Sequence, residues 1–244
     1  MRKGVLMSTY LTSDPHGDLR SFKKLLNKIK FDPGTDIMYI LGDVLDRGTE
    51  NLALLCYVRE YIDRGSMFLI KGNHELFAEM YLDGRLDAEQ WIAWGGKNTL
   101  KDIEALGSEE KKELKVFISG LCHYKVLQGK EKTILLTHSG LDADHIVETE
   151  SGLDVIASID KALETDEFQY LISNDIHYMP AGQIKKMDIY TIVGHVPVMR
   201  LNEDGSCKIV QKKHYMCIDT GAAYREAGGR MSCYCLEDGT EIYV

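Results

Sequence analysis

Five short runs rich in β-branched and aromatic residues are the feature that most limits how this chain can fold. The runs are Val5–Thr12, Ile37–Leu41, Met67–Ile70, Thr133–Thr137 and Ile189–Val193. Their length and composition predict buried β-strands. A polar residue stands at the end of each run, and these residues are Asp14, Asp43, Asn73, His138 and His195.

Helical patterns separate the first three runs. Apolar residues three and four positions apart predict one helix between Leu19 and Ile29 and a second between Leu52 and Ile62. Gly65 follows the second pattern as a helix stop. The order strand-helix-strand-helix-strand predicts an α/β fold with parallel strands and right-handed crossovers. Such folds bind ligands at the carboxyl ends of their strands, where the polar residues stand.

The remaining sequence predicts a single domain over residues 1–244, with a helical insert around residues 74–121. The insert contains three helical patterns, His74–Leu82, Ala88–Glu104 and Ser108–Leu121. After His195 the chain is rich in strand patterns, which are Lys208–Gln211, Tyr215–Asp219, Met231–Leu236 and Glu241–Val244. No internal repeat or low-complexity linker interrupts the 244 residues, which agrees with one compact unit.

Composition and charge restrict the partners of the chain. The formal net charge is −9, which disfavours non-specific coating of nucleic acid, because that needs Lys and Arg to displace counterions. The sequence contains no run of roughly 18 apolar residues, so no membrane span is predicted. The six cysteines contain no C-x-x-C pair and predict reduced, buried thiols. We therefore expect a cytoplasmic protein without membrane or nucleic-acid partners, and the sequence leaves its oligomeric state open.

Short motifs at the predicted strand ends bring metal-binding residue types together. The motifs are Asp14-Pro15-His16-Gly17, Gly42-Asp43-Val44-Leu45-Asp46-Arg47-Gly48, Gly72-Asn73-His74-Glu75, Thr137-His138-Ser139-Gly140 and Gly194-His195. Three imidazoles, two carboxylates and an amide oxygen suit borderline divalent ions such as manganese, iron or zinc. Two ions sharing one carboxylate would clamp a phosphoryl group and share a hydroxide that is nucleophilic near neutral pH.

These motifs resemble those of the calcineurin-like metallophosphoesterases. The resemblance is to the phosphoprotein phosphatase branch, which includes bacterial and phage serine/threonine phosphatases and symmetrical diadenosine tetraphosphate hydrolases. The motif order runs from Asp14 to His195, and Glu75 and the segment Ile218-Asp219-Thr220-Gly221 also fit this branch. The resemblance implies two mixed β-sheets packed as a central sandwich flanked by helices.

The resemblance also implies a role for each motif residue. Asp14 and His16 would bind the first metal ion, Asp43 would bridge, and Asn73, His138 and His195 would bind the second. Two divalent ions are implied, with manganese expected and iron, zinc or nickel as alternatives. His74 would protonate the leaving oxygen, with Asp46 orienting its ring. Arg47 would hold phosphate oxygens through its planar fork of donors.

One departure from the family pattern concerns phosphate binding. Related phosphatases carry a second phosphate-binding arginine between the last two metal histidines, but no arginine lies between His138 and His195. The sequence does not choose among four cationic replacements, Lys161, Lys185, Lys186 and Arg200.

Three functions remain open. The first is hydrolysis of phosphomonoesters, foremost phosphoserine or phosphothreonine in proteins, by direct attack of the shared hydroxide. The second is hydrolysis of diadenosine tetraphosphate, for which Trp91 and Trp94 in the insert would supply a surface for a base. The third is a catalytically silent, metal-bound binding module. Trp91 and Trp94 also fit a role in core packing, and Asp219 fits a structural turn.

Overall fold

The computed structural model describes residues 7–129 and 132–244. In chain order, the strands are β1 (Thr9–Thr12), β2 (Ile37–Ile40), β3 (Met67–Leu69), β4 (Tyr124–Gln128), β5 (Thr133–Thr137), β6 (Glu148–Thr149), β7 (Gly152–Leu153), β8 (Tyr190–Val193), β9 (Val210–Gln211), β10 (Tyr215–Cys217), β11 (Ser232–Cys235) and β12 (Glu241–Tyr243). The helices are α1 (Leu19–Ile29), α2 (Asn51–Asp63), α3 (Asn73–Leu82), α4 (Ala88–Ala93), α5 (Lys97–Glu104), α6 (Ser108–Ser119), α7 (Val155–Ile172) and α8 (Ala181–Ile184).

Two mixed five-stranded sheets form the centre of the fold. The first has the order β12-β11-β1-β2-β3, and the second has the order β4-β5-β8-β10-β9. Strands β1, β2 and β3 are parallel, as are β5, β8 and β10. The remaining strands of the two sheets, β4, β9, β11 and β12, pair antiparallel with their neighbours. The predicted strand-helix-strand-helix-strand order of the first third is confirmed.

The two sheets pack face to face because their strands alternate apolar side chains between two environments. In β2, Tyr39 belongs to the core between the sheets, and Ile40 belongs to the core beneath the helices of the first sheet. In β5, Leu136 lies between the sheets, and Leu135 packs with residues of α7 on the other side. Burying such a side chain contributes about 2 kcal/mol. The expected sandwich flanked by helices is confirmed.

The predicted helix over Ala88–Glu104 is wrong, because the chain breaks there into α4 and α5. Gly95 has a φ of 104°, which ends α4 and turns the chain. Gly96 lies so close to Trp91 that an added Cβ would come 2.3 Å from the indole ring. Helical spacing was right on each side of the break, but this packing was not visible in the periodicity.

Other differences lie at element boundaries or in unassigned segments. The first strand begins at Thr9 among the described residues, and the predicted strand residues Val5 and Leu6 lie outside them. Strand β4 and helix α7, whose backbone is kinked at Asp166, were not predicted. None of the helices in the described part of the chain combines the length and apolar character needed to cross a lipid bilayer.

Candidate active site

The carboxyl ends of the central parallel strands carry the predicted metal ligands to one edge of the sandwich. Seven non-glycine residues among those described have a positive φ, and six of them belong to the predicted site. These six are Asp14 (51°), His16 (42°), Asp43 (55°), Asp46 (69°), Arg47 (63°) and His195 (67°). Left-handed backbone is rare for such residues and concentrates at functional sites. The tight turns after the strands therefore aim these side chains at a common centre.

Main-chain carbonyl groups fix the orientation of three histidine rings. The bonds join His16 Nδ1 to Leu45 O at 2.8 Å, His138 Nδ1 to Leu41 O at 2.7 Å and His195 Nε2 to Ile172 O at 3.2 Å. A carbonyl oxygen only accepts, so each of these ring nitrogens carries the proton. In the neutral ring the other nitrogen then presents a lone pair. Such orientation is the usual support of metal-binding imidazoles.

Three ligand atoms converge beside Asp43. His138 Nε2 lies 2.9 Å and His195 Nδ1 lies 3.0 Å from Asn73 Oδ1, and the two ring nitrogens are 3.2 Å apart. Asp43 Oδ1 lies 3.4 Å from His138 Nε2. With their partner nitrogens donating to carbonyls, these atoms bring lone pairs together without a proton between them. A cation satisfies such a set, so the residues present fit a metal ion.

A second group forms on the other oxygen of Asp43. His16 Nε2 and His74 Nε2 each lie 3.8 Å from Asp43 Oδ2. The candidate metal groups therefore comprise Asp43, His138 and His195 on one side and His16, Asp43 and His74 on the other. His74 stands in the second group where the prediction has Asp14. Asp43 is the residue that the two candidate groups share.

Asp14 is buried next to this centre, although it is not part of either group. Both of its carboxylate oxygens accept from the His195 backbone N–H, at 3.1 and 3.2 Å. Desolvation and the nearby carboxylates of Asp219 and Asp43 raise the pKa of Asp14 well above its ordinary value. Burial, together with Glu75, likewise raises the pKa of Asp43. These buried carboxylates therefore need additional positive charge nearby to stay ionised.

Burial lowers the pKa of the histidines, whereas it raises the pKa of the carboxyl groups. Desolvation, with Arg47 and neighbouring imidazoles, lowers the pKa of His16 well below its ordinary value. Desolvation and the neighbouring His195 do the same to His138, and desolvation lowers the pKa of His195 to about 4. The rings are therefore neutral near pH 7, which is the form that binds metal.

A family model decides which known proteins this chain belongs with. The model described as calcineurin-like phosphoesterase matches residues 7–216, most of the chain. The chain belongs to the calcineurin-like phosphoesterases. The resemblance drawn from the motifs is confirmed at the level of the family and the fold.

Curated and solved relatives of this phosphoesterase include nucleotide and protein phosphatases. A symmetrical bis(5'-nucleosyl)-tetraphosphatase from Pseudomonas putida (strain W619) is 29% identical over 163 residues, covering 66% of this chain and 51% of the relative. The chain spans about half the length of the curated relatives it matches. A crystal structure provisionally assigned as a diadenosine tetraphosphatase has a TM-score of 0.59 at 16% identity, covering 99% of this chain and 94% of the other. A cold-active protein-tyrosine phosphatase from a psychrophilic Shewanella species has a TM-score of 0.58 at 16% identity, covering 98% and 81%. These two structures show a shared fold.

The predicted pairing of His74 with Asp46 is present in this phosphoesterase. His74 Nδ1 lies 2.7 Å from Asp46 Oδ2, and both side chains are buried. The indole N–H of Trp91 donates to the same oxygen at 2.8 Å. Trp91 is fully buried, so it packs in the core and presents no surface to a base. Sequence reasoning missed its contact with Asp46, which lies 45 positions away along the chain.

Arg47 and Arg200 both approach the ring of Tyr224. Their guanidinium carbons are 5.6 and 6.0 Å from the centroid of Tyr224. Arg47 Nη1 also donates to His16 Nε2 at 2.8 Å. Lys186, one of the four replacements left open, is paired with Glu148 instead. Arg200 is therefore the candidate replacement that the structure places beside Arg47.

The buried carboxylate of Glu75 holds the loop that carries Asp43. Its Oε2 accepts the backbone N–H groups of Asp43 and Gly72, and its Oε1 accepts those of Val44 and Leu45, at 2.8 to 3.1 Å. The sequence identified Glu75 only as a mark of the phosphatase branch. Asp219 fits its predicted turn role, because its Oδ1 accepts the Gly221 N–H at 2.8 Å.

Proposed function

We propose that this phosphoesterase hydrolyses phosphate esters with two divalent metal ions bound at the strand ends. The observation that carries the proposal is the convergence of Asn73 Oδ1, His138 Nε2 and His195 Nδ1 beside Asp43. The proposed ligands are Asp14 and His16 for one ion, Asp43 for both, and Asn73, His138 and His195 for the other. Ions held there supply positive charge for the phosphoryl oxygens and lower the pKa of water. Manganese is the metal we propose.

His74 is the proposed general acid. Water attacks phosphorus directly as the ester bond breaks, and the leaving oxygen takes its proton from His74 Nε2. The bond from Nδ1 to Asp46 holds the ring with Nε2 toward Asp43. Burial and the charge of Arg47 lower the pKa of free His74 well below its ordinary value. A bound phosphate anion favours the protonated ring, so the acid form is coupled to substrate binding.

Arg47 and Arg200 are the proposed phosphate-binding cations. Both side chains are exposed, and both approach the ring of half-buried Tyr224. Two guanidinium groups offer planar forks of donors that match phosphate oxygens. Because they come from the loop after β2 and the turn after β8, they can contact different oxygens or different phosphates of one substrate.

For the substrate, we propose a dinucleoside polyphosphate such as diadenosine tetraphosphate. The curated relatives named above as tetraphosphatases support this class. Two cations beside an aromatic ring suit a polyanion that carries a base, because the ring can stack with the base while the guanidiniums meet phosphates. Tyr224 is the ring we propose for the base in place of the insert tryptophans, because Trp91 is fully buried and Trp94 packs on Phe77 and Phe168.

Phosphoserine or phosphothreonine in proteins is the second candidate substrate. The exposure of Arg47 and Arg200 favours it, because a phosphorylated side chain on a folded protein must reach cations at the surface. The solved protein phosphatase shares the fold only, at 16% identity, and does not choose between the substrates.

Turnover by metal-depleted protein reconstituted with Mn²⁺ tests both candidates. We expect kcat/KM for diadenosine tetraphosphate to exceed that for a phosphoserine peptide at least about tenfold, a difference of about 1.4 kcal/mol. The reverse ranking would establish the phosphoprotein candidate. Turnover of neither substrate by protein that holds two ions would favour a silent binding module and refute the proposed function.

A further inference from the structure

The segment from α4 to α5 (Ala88–Glu104) contacts the loop that carries the proposed acid partner and the phosphate-binding arginine. Four hydrogen bonds join the two, and each member of the loop Asp46–Gly48 takes part. They are Trp91 Nε1 to Asp46 Oδ2 at 2.8 Å, Asp46 N to Thr99 Oγ1 at 3.1 Å, Arg47 N to Gly95 O at 2.9 Å and Asn98 Nδ2 to Gly48 O at 2.8 Å.

The loop needs such support because its backbone is strained. Asp46 and Arg47 are consecutive non-glycine residues with φ of 69° and 63°. An isolated chain would leave this left-handed conformation readily, since it is unfavourable by roughly 1 kcal/mol or more for each residue. The Thr99 hydroxyl accepts the Asp46 N–H and the Gly95 carbonyl accepts the Arg47 N–H, and these two bonds hold the loop in its left-handed conformation.

Trp91 also determines the orientation of the Asp46 carboxylate. Asp46 Oδ2 accepts from both Trp91 and His74, whereas its buried Oδ1 has no partner among the described residues. With only His74 attached, the carboxylate could rotate about its Cβ–Cγ bond and exchange its oxygens. The second bond, from a rigid and fully buried indole, removes that freedom.

We propose that Trp91 is a positioning residue for proton transfer: it holds Asp46, which in turn holds His74 with Nε2 toward the leaving oxygen. The inference rests on the proposed function, because it assigns Trp91 a role through the proposed acid. Gly96 contributes to the same positioning, since a side chain there would clash with the Trp91 indole and displace it from Asp46.

The chain offers a matched control for Trp91. Trp94 lies three positions further along, at the end of α4, and its ring packs on Phe77 and Phe168 at 4.6 and 5.9 Å between centroids. No hydrogen bond joins the described Trp94 side chain to Asp46. Trp94→Phe therefore removes an indole at the end of α4 without removing a hydrogen bond of the proposed relay.

Leaving-group dependence separates positioning from a general loss of structure. An alkyl phosphate needs a proton on its leaving oxygen, whereas 4-nitrophenyl phosphate leaves with little help. We expect Trp91→Phe and Gly96→Ala to lower kcat for a phosphoserine peptide about tenfold more than kcat for 4-nitrophenyl phosphate. This is the loss expected for one hydrogen bond to a charged group. Trp94→Phe should leave the ratio unchanged. An equal loss for both substrates in Trp91→Phe and Gly96→Ala would overturn the proposal.

The indole signals give a readout that does not depend on activity. The chain has two tryptophans, so a ¹⁵N-labelled sample shows two indole N–H cross-peaks, which Trp94→Phe assigns. Asp46→Asn should shift the Trp91 cross-peak and speed its exchange with solvent while leaving that of Trp94 in place. An unmoved Trp91 cross-peak would overturn the proposal even in an active enzyme. Wild-type protein that holds two metal ions and hydrolyses neither these phosphates nor diadenosine tetraphosphate would instead refute the proposed function, while the spectrum still decides whether Trp91 holds Asp46.

Discussion

Replacing Glu75 with glutamine should reveal how strongly the loop that carries Asp43 depends on one buried carboxylate. The two oxygens of Glu75 accept four backbone N–H groups, two on each oxygen. A glutamine keeps one acceptor oxygen and turns an NH₂ group toward the other two donors. Each buried donor left without an acceptor costs about 1–3 kcal/mol. We therefore expect Glu75→Gln to lower the free energy of unfolding by about 2–6 kcal/mol.

Urea unfolding followed by circular dichroism measures this change, and Glu110→Gln is the matched control. Glu110 also accepts a backbone N–H, that of Gly107 at 2.7 Å, but at the exposed start of α6. A single exposed capping bond contributes about 1 kcal/mol or less. If Glu75→Gln cost no more than Glu110→Gln, the reasoning from buried donors would be refuted. Lower Mn²⁺ affinity of Glu75→Gln should accompany its lower stability.

The remaining predictions concern the metal centre, the phosphate cations and acid stability. Asp43→Asn should abolish turnover and lower the metal content measured by plasma mass spectrometry, because Asp43 faces both ligand groups. Arg200→Ala should raise KM about tenfold with a smaller effect on kcat, as measured in steady-state kinetics. Hydrogen bonds from His123 and Lys71 lower the pKa of Glu167 to about 2, from 4.5. Its stabilisation is therefore complete above about pH 4.5 and lost as the pH falls toward 2, about 1 kcal/mol after allowing for solvent screening.

Each of these predictions has a contrary result. Full metal-dependent turnover by Asp43→Asn would exclude the proposed bridging role. Lys161→Ala is the control for Arg200→Ala, and an equal rise in KM for both variants would point to general surface charge. Glu167→Gln should reduce the loss of unfolding free energy between pH 4.5 and 2 by about 1 kcal/mol, and an unchanged pH profile would assign that loss to other groups.

The site could be predicted from sequence largely because its residues directly follow β-strands. Asp14, Asp43, Asn73, His138 and His195 each follow a strand that the composition marks clearly. Parallel strands then bring their ends to one edge without any further information. Because the motif residues are placed by the strands that precede them, the family resemblance predicted the fold as well as the residue types.

The parts that could not be predicted depend on groups that residue type does not mark. The carbonyl of Ile172, at the end of α7, orients His195, but any residue has a carbonyl. The contact of Trp91 with Asp46 joins segments 45 residues apart, and helical spacing says only that Trp91 faces inward. The break at Gly95 followed from the same tertiary contact, since the chain turns there to fit the indole against Gly96.

The six left-handed residues around the site limit how stable this fold can become while it keeps its chemistry. At roughly 1 kcal/mol or more each, they weaken the folded state by about 6 kcal/mol, which is comparable to the net stability of a typical domain. Glycine would relieve each position but would remove the side chain that the site uses. Selection for heat resistance alone should therefore erode the site first, and a thermostable active variant must gain its stability in the sandwich and the outer helices.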